Sequence, residues 1–352
     1  MTIRVGIVND LAIAAEVLRK IVQSDPGMSV LWLARDGREA ITQCGTALPD
    51  IVLMDLVMPQ MDGVEATRQI MRATPCPILV VTATVAGNIS MVYDAMGAGA
   101  MDVTTTPVIG DQRALDSGQV LRRKIHALCS SVRAAPPRPE TKADATTRRP
   151  AAPAPQTQVP PVLAVGASTG GPGALATILG ELKPDFPAAI VIVQHIDDAF
   201  VAGLADWLGS STRLPVALAG HGQRLRAGQV LVADAGAHLV LGPAGFLHQR
   251  QTPADALHRP AVDVFFASLA QHGPAGSAAL LLTGMGCDGA AGLLAVRRAG
   301  YQTFVQDHAS AVVYGMPGAA LALGAADGVL SLDRIAAHFT AMFKQSPPLC
   351  SQ

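Results

Sequence analysis

Residues 131–160, SVRAAPPRPETKADATTRRPAAPAPQTQVP, contain no Leu, Ile, Phe, Tyr or Trp. A stretch with so little to bury and so many prolines belongs to no core, and is expected to be an extended, flexible linker. The chain must then bury its apolar side chains on either side of it, in one domain over residues 1–130 and another over 161–345. In a chain of 352 residues, each flank is long enough for a core of its own. Such a tether would let one domain dock on the other or swing away from it.

The N-terminal flank alternates short apolar runs with amphipathic segments. Strands are expected at Arg4–Val8, Val30–Ala34, Ile51–Met54, Ile78–Val81 and Asp102–Thr105. Between them helical periodicity appears, as in Ile13, Val17, Leu18, Ile21 and Val22. Five βα units imply a parallel, doubly wound sheet of the flavodoxin-like (βα)5 kind, which binds ligands at the carboxyl ends of its strands. Asn9, Asp10, Asp55, Thr82 and Thr106 all follow such ends. Carboxylates gathered there suit a hard divalent cation such as Mg²⁺.

The segment from Asp55 through Leu56-Val57-Met58-Pro59 to Met61-Asp62-Gly63 resembles the phosphoacceptor region of response-regulator receiver domains. That resemblance implies that Asp55 accepts a phosphoryl group. It also implies that Asp10, Asp55 and the Val57 carbonyl hold Mg²⁺, and that Thr82 is the switch hydroxyl. The sequence departs from the receiver pattern at three places. Asn9 stands where a second acidic residue is usual, Thr106 replaces the lysine before Pro107, and Val103 occupies the place of the switch aromatic. A threonine donates one hydrogen bond but cannot neutralise a phosphoryl oxygen.

The C-terminal flank opens on VLAVGASTGGPG. Val162–Val165 reads as a buried strand, and Gly166-Ala167-Ser168-Thr169-Gly170 then forms G-x-S-x-G ahead of Pro172 and a helix. This is the layout of a nucleophile elbow, with Ser168 at the turn. Read alone, it is equally compatible with a phosphate cradle or a plain tight turn. A second αβ alternation follows: a helix over Gly173–Leu179, a strand over Ala188–Val193 and a helix over Phe200–Leu208. Short runs at Val216–Leu218, Val230–Ala233, His238–Leu241 and Phe246–His248 suggest a hairpin excursion at one edge. Beyond them come a helix over Val262–Leu269, strands over Ala278–Leu282 and Gln302–Val305, a helix over Ala290–Arg298 and a C-terminal helix through Phe339.

Ser168, His195 and Asp288 each lie just past a predicted strand, so parallel neighbours would bring them to one sheet edge. A serine is a poor nucleophile at its free pKa, and a base held by a third group activates it. Asp307 rivals Asp288 as the orienting acid, and His221 and His308 rival His195 as the base. Cys287 reads as a small buried residue of a tight loop rather than a nucleophile.

Composition narrows the function classes. A net charge of −1 offers no electrostatic reason to expect nucleic acid or an anionic membrane. The start MTIRVGIVND lacks the apolar stretch and cleavage site of a signal peptide, and no apolar run reaches membrane-spanning length. Five scattered cysteines without CxxC spacing fit reduced thiols in a cytoplasmic protein with no direct membrane insertion.

The segments GASTGGPGAL, IVIVQHI, LLLTGMGCDGAAGL and QDHASAVVYGMPGAA resemble the signature regions of the CheB family of chemoreceptor protein-glutamate methylesterases. The resemblance implies Ser168 as nucleophile, His195 as general base and acid, and Asp288 as the residue orienting His195. It further implies an oxyanion hole at the Met285 amide with Thr169 nearby, and no cofactor for the esterase. The implied partners are a methyl-accepting chemoreceptor as substrate and a histidine kinase as phosphodonor. Receptor glutamines would be deamidated by the same chemistry. The Asn9-Asp10 start and missing lysine further resemble methylesterases of Wsp-type surface-sensing pathways. Two other classes stay open at this level: a receiver with a dinucleotide-binding output domain, and a non-hydrolytic adaptor between receptor and kinase.

Overall fold

The computed structural model describes residues 2–83, 89–107, 112–133 and 159–345. Of the expected linker, residues 134–158 lie outside the described residues. The N-terminal units run β1 (Ile3–Val8), α1 (Ala12–Gln23), β2 (Met28–Ala34), α2 (Gly37–Thr46), β3 (Ile51–Met54), α3 (Gly63–Ala73), β4 (Ile78–Thr82), α4 (Ile89–Gly97), β5 (Asp102–Thr105) and α5 (Gln112–Arg133). The strands pair in parallel in the order β2-β1-β3-β4-β5. β3 and β4 are buried along their whole length, as strands covered by helices on both faces must be. Asp36 and Asp62 cap α2 and α3, accepting the amides of Glu39 (2.9 Å) and Glu65 (2.8 Å).

The C-terminal units are β6 (Val162–Ala167), α6 (Gly171–Glu181), β7 (Ala189–Gln194), α7 (Val201–Ser211), β8 (Val216–Leu218), β9 (Gln223–Arg224), β10 (Val230–Val232), β11 (His238–Leu241), β12 (Phe246–Arg250), α8 (Val262–His272), β13 (Ala278–Leu281), α9 (Ala290–Arg298), β14 (Gln302–Gln306), α10 (Gly315–Ala322), β15 (Gly328–Leu330) and α11 (Leu332–Gln345). Seven strands form a parallel sheet in the order β15-β14-β13-β6-β7-β10-β8, while β11-β12-β9 make a small antiparallel one. The hairpin expectation therefore holds only for His238–Leu241 and the strand starting at Phe246. Val216–Leu218 and Val230–Val232 pair in parallel instead, β8 on β10 and β10 on β7, and widen the main sheet. Local glycine spacing could not reveal this, because the partner that captures β10 lies some forty residues earlier in the chain.

Both large sheets reverse direction once. The path from β6 leads outward to β7 on one side, and the chain later returns with β13 on the other. In the first sheet the same reversal falls between β1 and β3. Crevices at such switch points, beyond the carboxyl ends of the strands, are where open α/β sheets bind ligands.

The two sheets share an apolar interface. Tyr93 of α4 is fully buried; its hydroxyl donates to the Phe200 carbonyl at 2.6 Å and its ring stacks on Trp207 of α7, centroids 5.3 Å apart. Ile89 packs so closely on Gly203 that a Cβ there would stand 1.8 Å from a methyl carbon. One buried apolar cluster thus runs without a break from β3 and β4 through Tyr93 to Phe200 and Leu204.

Candidate active site

Strand register does most of the assembly. Ala167 pairs with Gln194 at the ends of β6 and β7, so the next residues, Ser168 and His195, leave the sheet side by side. The His195 amide donates to the Ala167 carbonyl at 2.9 Å, and the Ser168 amide donates to the Thr283 carbonyl beyond β13 at 3.0 Å. Ser168 is half-buried. The turn that carries it needs Gly170 twice over: its φ is +79°, and a Cβ there would lie 2.5 Å from Val312.

Asp288 comes from the loop joining β13 to α9 and meets the imidazole of His195, Nε2 to Oδ2, at 2.7 Å. Its carboxylate also accepts the amides of Val262 (2.8 Å) and Asp263 (2.9 Å), at the N-terminus of α8. Burial alone would raise this carboxyl. The His195 hydrogen bond and charge, together with the two amides, outweigh burial and bring it down to about 2. An ionised carboxylate only accepts, so Nε2 carries the proton and Nδ1 is left as the acceptor nitrogen. Nδ1 is buried and has no hydrogen-bond partner among the described residues. Ser168 and His195 are not hydrogen-bonded to each other, and Nδ1 is the ring nitrogen that keeps a lone pair.

His258 lies flat against His195, ring centroids 4.0 Å apart and planes 17° from parallel. Burial, then the charge on His195, pull its imidazole down to about 4; Asp288 opposes this and Arg123 of α5 adds to it. His258 is therefore neutral at ordinary pH and can stack on an imidazolium without repelling it. Sequence alone does not single out His258, for a position in an irregular segment gives no sign of what it stacks on.

The rival groups are engaged elsewhere. Asp307 accepts the Ser310 amide at 3.0 Å and the Ser310 hydroxyl. His221 accepts the Gln249 amide at 3.2 Å, and His308 packs on Tyr314. Cys287, expected to be buried, is exposed, because the loop around it turns outward between Met285 and Gly289.

Thr169 is buried, and its carbonyl accepts the Thr283 hydroxyl at 2.9 Å. Gly284 is pressed against the Ser168 turn, for a Cβ there would stand 2.8 Å from the Ser168 Cβ and 3.1 Å from its amide nitrogen, and Met285 is the next residue. A cleft of about 590 Å³ opens beside Met285 and Gly286, walled by His308 and Tyr314 on one side and by Arg123 and His126 of α5 on the other.

At the other switch point, Asp55 is 8% exposed. Its Oδ1 accepts the Leu56 amide at 2.7 Å, and its Oδ2 accepts the Asn9 side-chain amide at 2.9 Å. Burial pushes its carboxyl up to about 6; the Leu56 and Val57 amides pull the other way, and the Asp10 charge adds to the rise. Asp10 and Val57 are exposed at the rim. Thr82 is buried at the end of β4, and its carbonyl accepts the Thr106 amide at 2.9 Å. The Thr106 hydroxyl is buried without a hydrogen-bond partner among the described residues.

The described residues hold no cluster of three metal-binding side chains. The donor set here is two carboxylates and a carbonyl, all hard oxygens, and the like charges of Asp10 and Asp55 destabilise each other. That set fits Mg²⁺, which keeps several waters and phosphate oxygens in its shell. No described helix is long and apolar enough to cross a membrane.

Comparison with known proteins agrees with both halves. Residues 163–339 match the family model described as CheB methylesterase, and residues 5–115 match the response regulator receiver domain. The chain is 48% identical over 342 residues to protein-glutamate methylesterase/protein-glutamine glutaminase 4 of Burkholderia thailandensis, covering 97% of this chain and 98% of that one. A relative with the same activity name from Cupriavidus metallidurans is 46% identical over 333 residues, covering 95% and 96%. The crystal structure of the Thermotoga maritima CheB methylesterase catalytic domain aligns with a TM-score of 0.51 at 33% identity, over 53% of this chain and 100% of that one.

Proposed function

The chain belongs to the CheB methylesterase family and carries a response-regulator receiver domain, and from that premise we propose that it hydrolyses glutamate γ-methyl esters on chemoreceptors and deamidates receptor glutamines. The observation that carries this reading is the His195–Asp288 pair standing beside the Ser168 turn, with His195 Nδ1 unpartnered. Nδ1 takes the Ser168 proton as Oγ attacks the ester carbonyl. The resulting oxyanion is held by the Met285 amide, with Thr169 beside it. Collapse breaks the bond to methoxide, which takes the proton back from His195 and leaves as methanol. Water then attacks the glutamyl-enzyme by the same base, releasing glutamate and the free serine. A glutamine follows the same path with ammonia leaving. The esterase half needs no cofactor in this scheme.

The receiver supplies control. Asp55 is the phosphoacceptor, a histidine kinase the donor, and Thr82 the hydroxyl that responds. Asp10, Asp55 and the Val57 carbonyl would hold Mg²⁺, which neutralises phosphoryl charge when bound. Asn9 donates to Asp55 where a second carboxylate would have held the ion, and Thr106 adds no cation. These two departures support weaker ion binding and the Wsp-type placement. Support for control by covering comes from α5, whose Arg123 and His126 wall the cleft beside Met285. The enzyme acts in the cytoplasm, where kinase and receptor methylation sites are both within reach.

The decisive experiment is Ser168→Ala in the full chain, assayed for methanol release from methylated receptor and for phosphorylation of Asp55. Release should fall by about 10⁴-fold or more while phosphorylation is retained. Ester hydrolysis at the wild-type rate in that variant removes Ser168 from the mechanism.

A further inference from the structure

Gln194, the last residue of β7, is 3% exposed, and its side chain is committed to the two residues that carry the chemistry. Its Nε2 donates to the carbonyl of Ser168 at 2.8 Å and to the carbonyl of His195 at 2.9 Å. A primary amide presents its two N–H groups in one plane at a fixed angle. One planar group therefore sets the separation of those carbonyls where ladder pairing has just ended, at Ala167 and Gln194.

The other end of the amide reinforces the point. Gln194 Oε1 is buried and has no hydrogen-bond partner among the described residues. Rotating the amide by half a turn would set Oε1 against two carbonyl oxygens, so the orientation is fixed by the network. A buried acceptor without a partner is costly and needs a compensating gain.

Space for this group is made by Gly171. A Cβ at 171 would stand 2.1 Å from Gln194 Oε1 and 2.8 Å from the Ala167 Cβ, whereas the backbone of Gly171 is not among the positive-φ positions. The two adjacent glycines thus answer different needs. Gly170 supplies a left-handed turn; Gly171 supplies room for a glutamine from the neighbouring strand.

We infer that Gln194 is a positioning residue for acyl transfer: it locks nucleophile and base into one unit, and Gly171 is the clearance it requires. The inference rests on the Ser168–His195 chemistry proposed above. Its effect is on geometry at the reacting atoms, where displacements of the order of 1 Å cost about 10²-fold in rate.

The test uses the full chain as wild type, Gln194→Met, Gly171→Ala and Ser168→Ala. For each, the readouts are the thermal melt, kcat and KM for methanol release, and the saturating rate of Ser168 labelling by a fluorophosphonate. Gln194→Met keeps length and removes the donors. It should lower kcat and the labelling rate by about 10- to 100-fold with KM within about twofold. Gly171→Ala, which presses on the Gln194 amide, should act in the same direction more weakly.

Wild-type kcat and labelling in folded Gln194→Met would overturn the inference and leave a strand-end group of structural value only. If Gln194→Met is unfolded at the assay temperature, Gly171→Ala decides alone, and wild-type turnover there overturns the inference. Failure of the underlying reading looks different: wild type and Ser168→Ala would then label and hydrolyse alike.

Discussion

Asp55, buried directly after β3, and Asp288, partly buried in the loop after β13, are two carboxylates beside switch points, yet their acidities move in opposite directions. Asp55 is pushed up to about 6, first by burial, with two amides opposing and the neighbouring Asp10 adding to the rise. Asp288 is partly buried, which by itself would raise it, but an imidazole and the two leading amides of α8 face it, and it falls to about 2. Location in the fold does not set the charge state; the donors that meet the carboxylate do. The contrast matches the proposed roles. An acceptor of phosphoryl groups benefits from a basic oxygen, whereas an orienting acid must remain an anion while the imidazole beside it gains and loses a proton.

The comparison breaks most visibly at Asp288. Asp288→Asn removes the anion while keeping the shape, and presents an amide that favours the wrong tautomer of His195. Turnover should fall by about 10⁴-fold, read as methanol release. A variant within tenfold of wild type would mean that Asp288 does not orient the base.

Asp55→Asn should have a smaller effect and only when a phosphodonor is present. Acetyl phosphate with Mg²⁺ is expected to raise the wild-type esterase rate by about 5- to 150-fold, the range of ordinary coupling energies, and to leave the variant at its basal rate. EDTA should abolish the acceleration. Equal wild-type rates with and without donor, or acceleration that survives chelation, would refute the control or the metal requirement respectively.

The mildest test is stability against pH. Asp55 has its folded pKa raised from 3.8 to about 6, so its contribution is fully present below about pH 4 and is lost as pH rises through 6. Asp288 has its folded pKa lowered from 3.8 to about 2, so its contribution is present above about pH 4 and is lost as pH falls toward 2. Urea titrations between pH 4 and 7 should therefore show Asp55→Asn gaining about 3 kcal/mol relative to wild type across that range. Asp288→Asn should keep a constant difference over the same window. Parallel curves for Asp55→Asn would show that burial does not raise Asp55.

Continuous apolar runs made much of the fold legible before any coordinates. The expected bounds of β3, β5, β8, β11 and α9 coincide with the observed ones, since a short run flanked by polar or glycine residues leaves little freedom in where a strand or helix stops. β9, with two residues, and β15, with three, carry no periodic signal. α10, GMPGAALA, is apolar almost all round and holds a proline and two glycines, so local propensity does not mark it as a helix. Ser168, His195 and Asp55 were visible as polar residues at the ends of apolar runs, and Asp288 as the acid of the glycine-rich loop that follows one. Gln194 stood in the same kind of place and was passed over, because a polar residue closing a strand is ordinary until its partners are seen.

The order of residues along the chain thus determined which side chains would reach the sheet edges, because strand ends and turns are dictated within a few neighbouring positions. Only the tertiary structure decided what each one meets there: Asp288 on His195 Nε2, His258 on the ring face, Gln194 between two carbonyls, and α5 beside Met285. Those contacts join positions from 1 to well over 100 residues apart. Their distances, and the acidities that follow from them, arise from packing between distant segments and not from spacing along the chain.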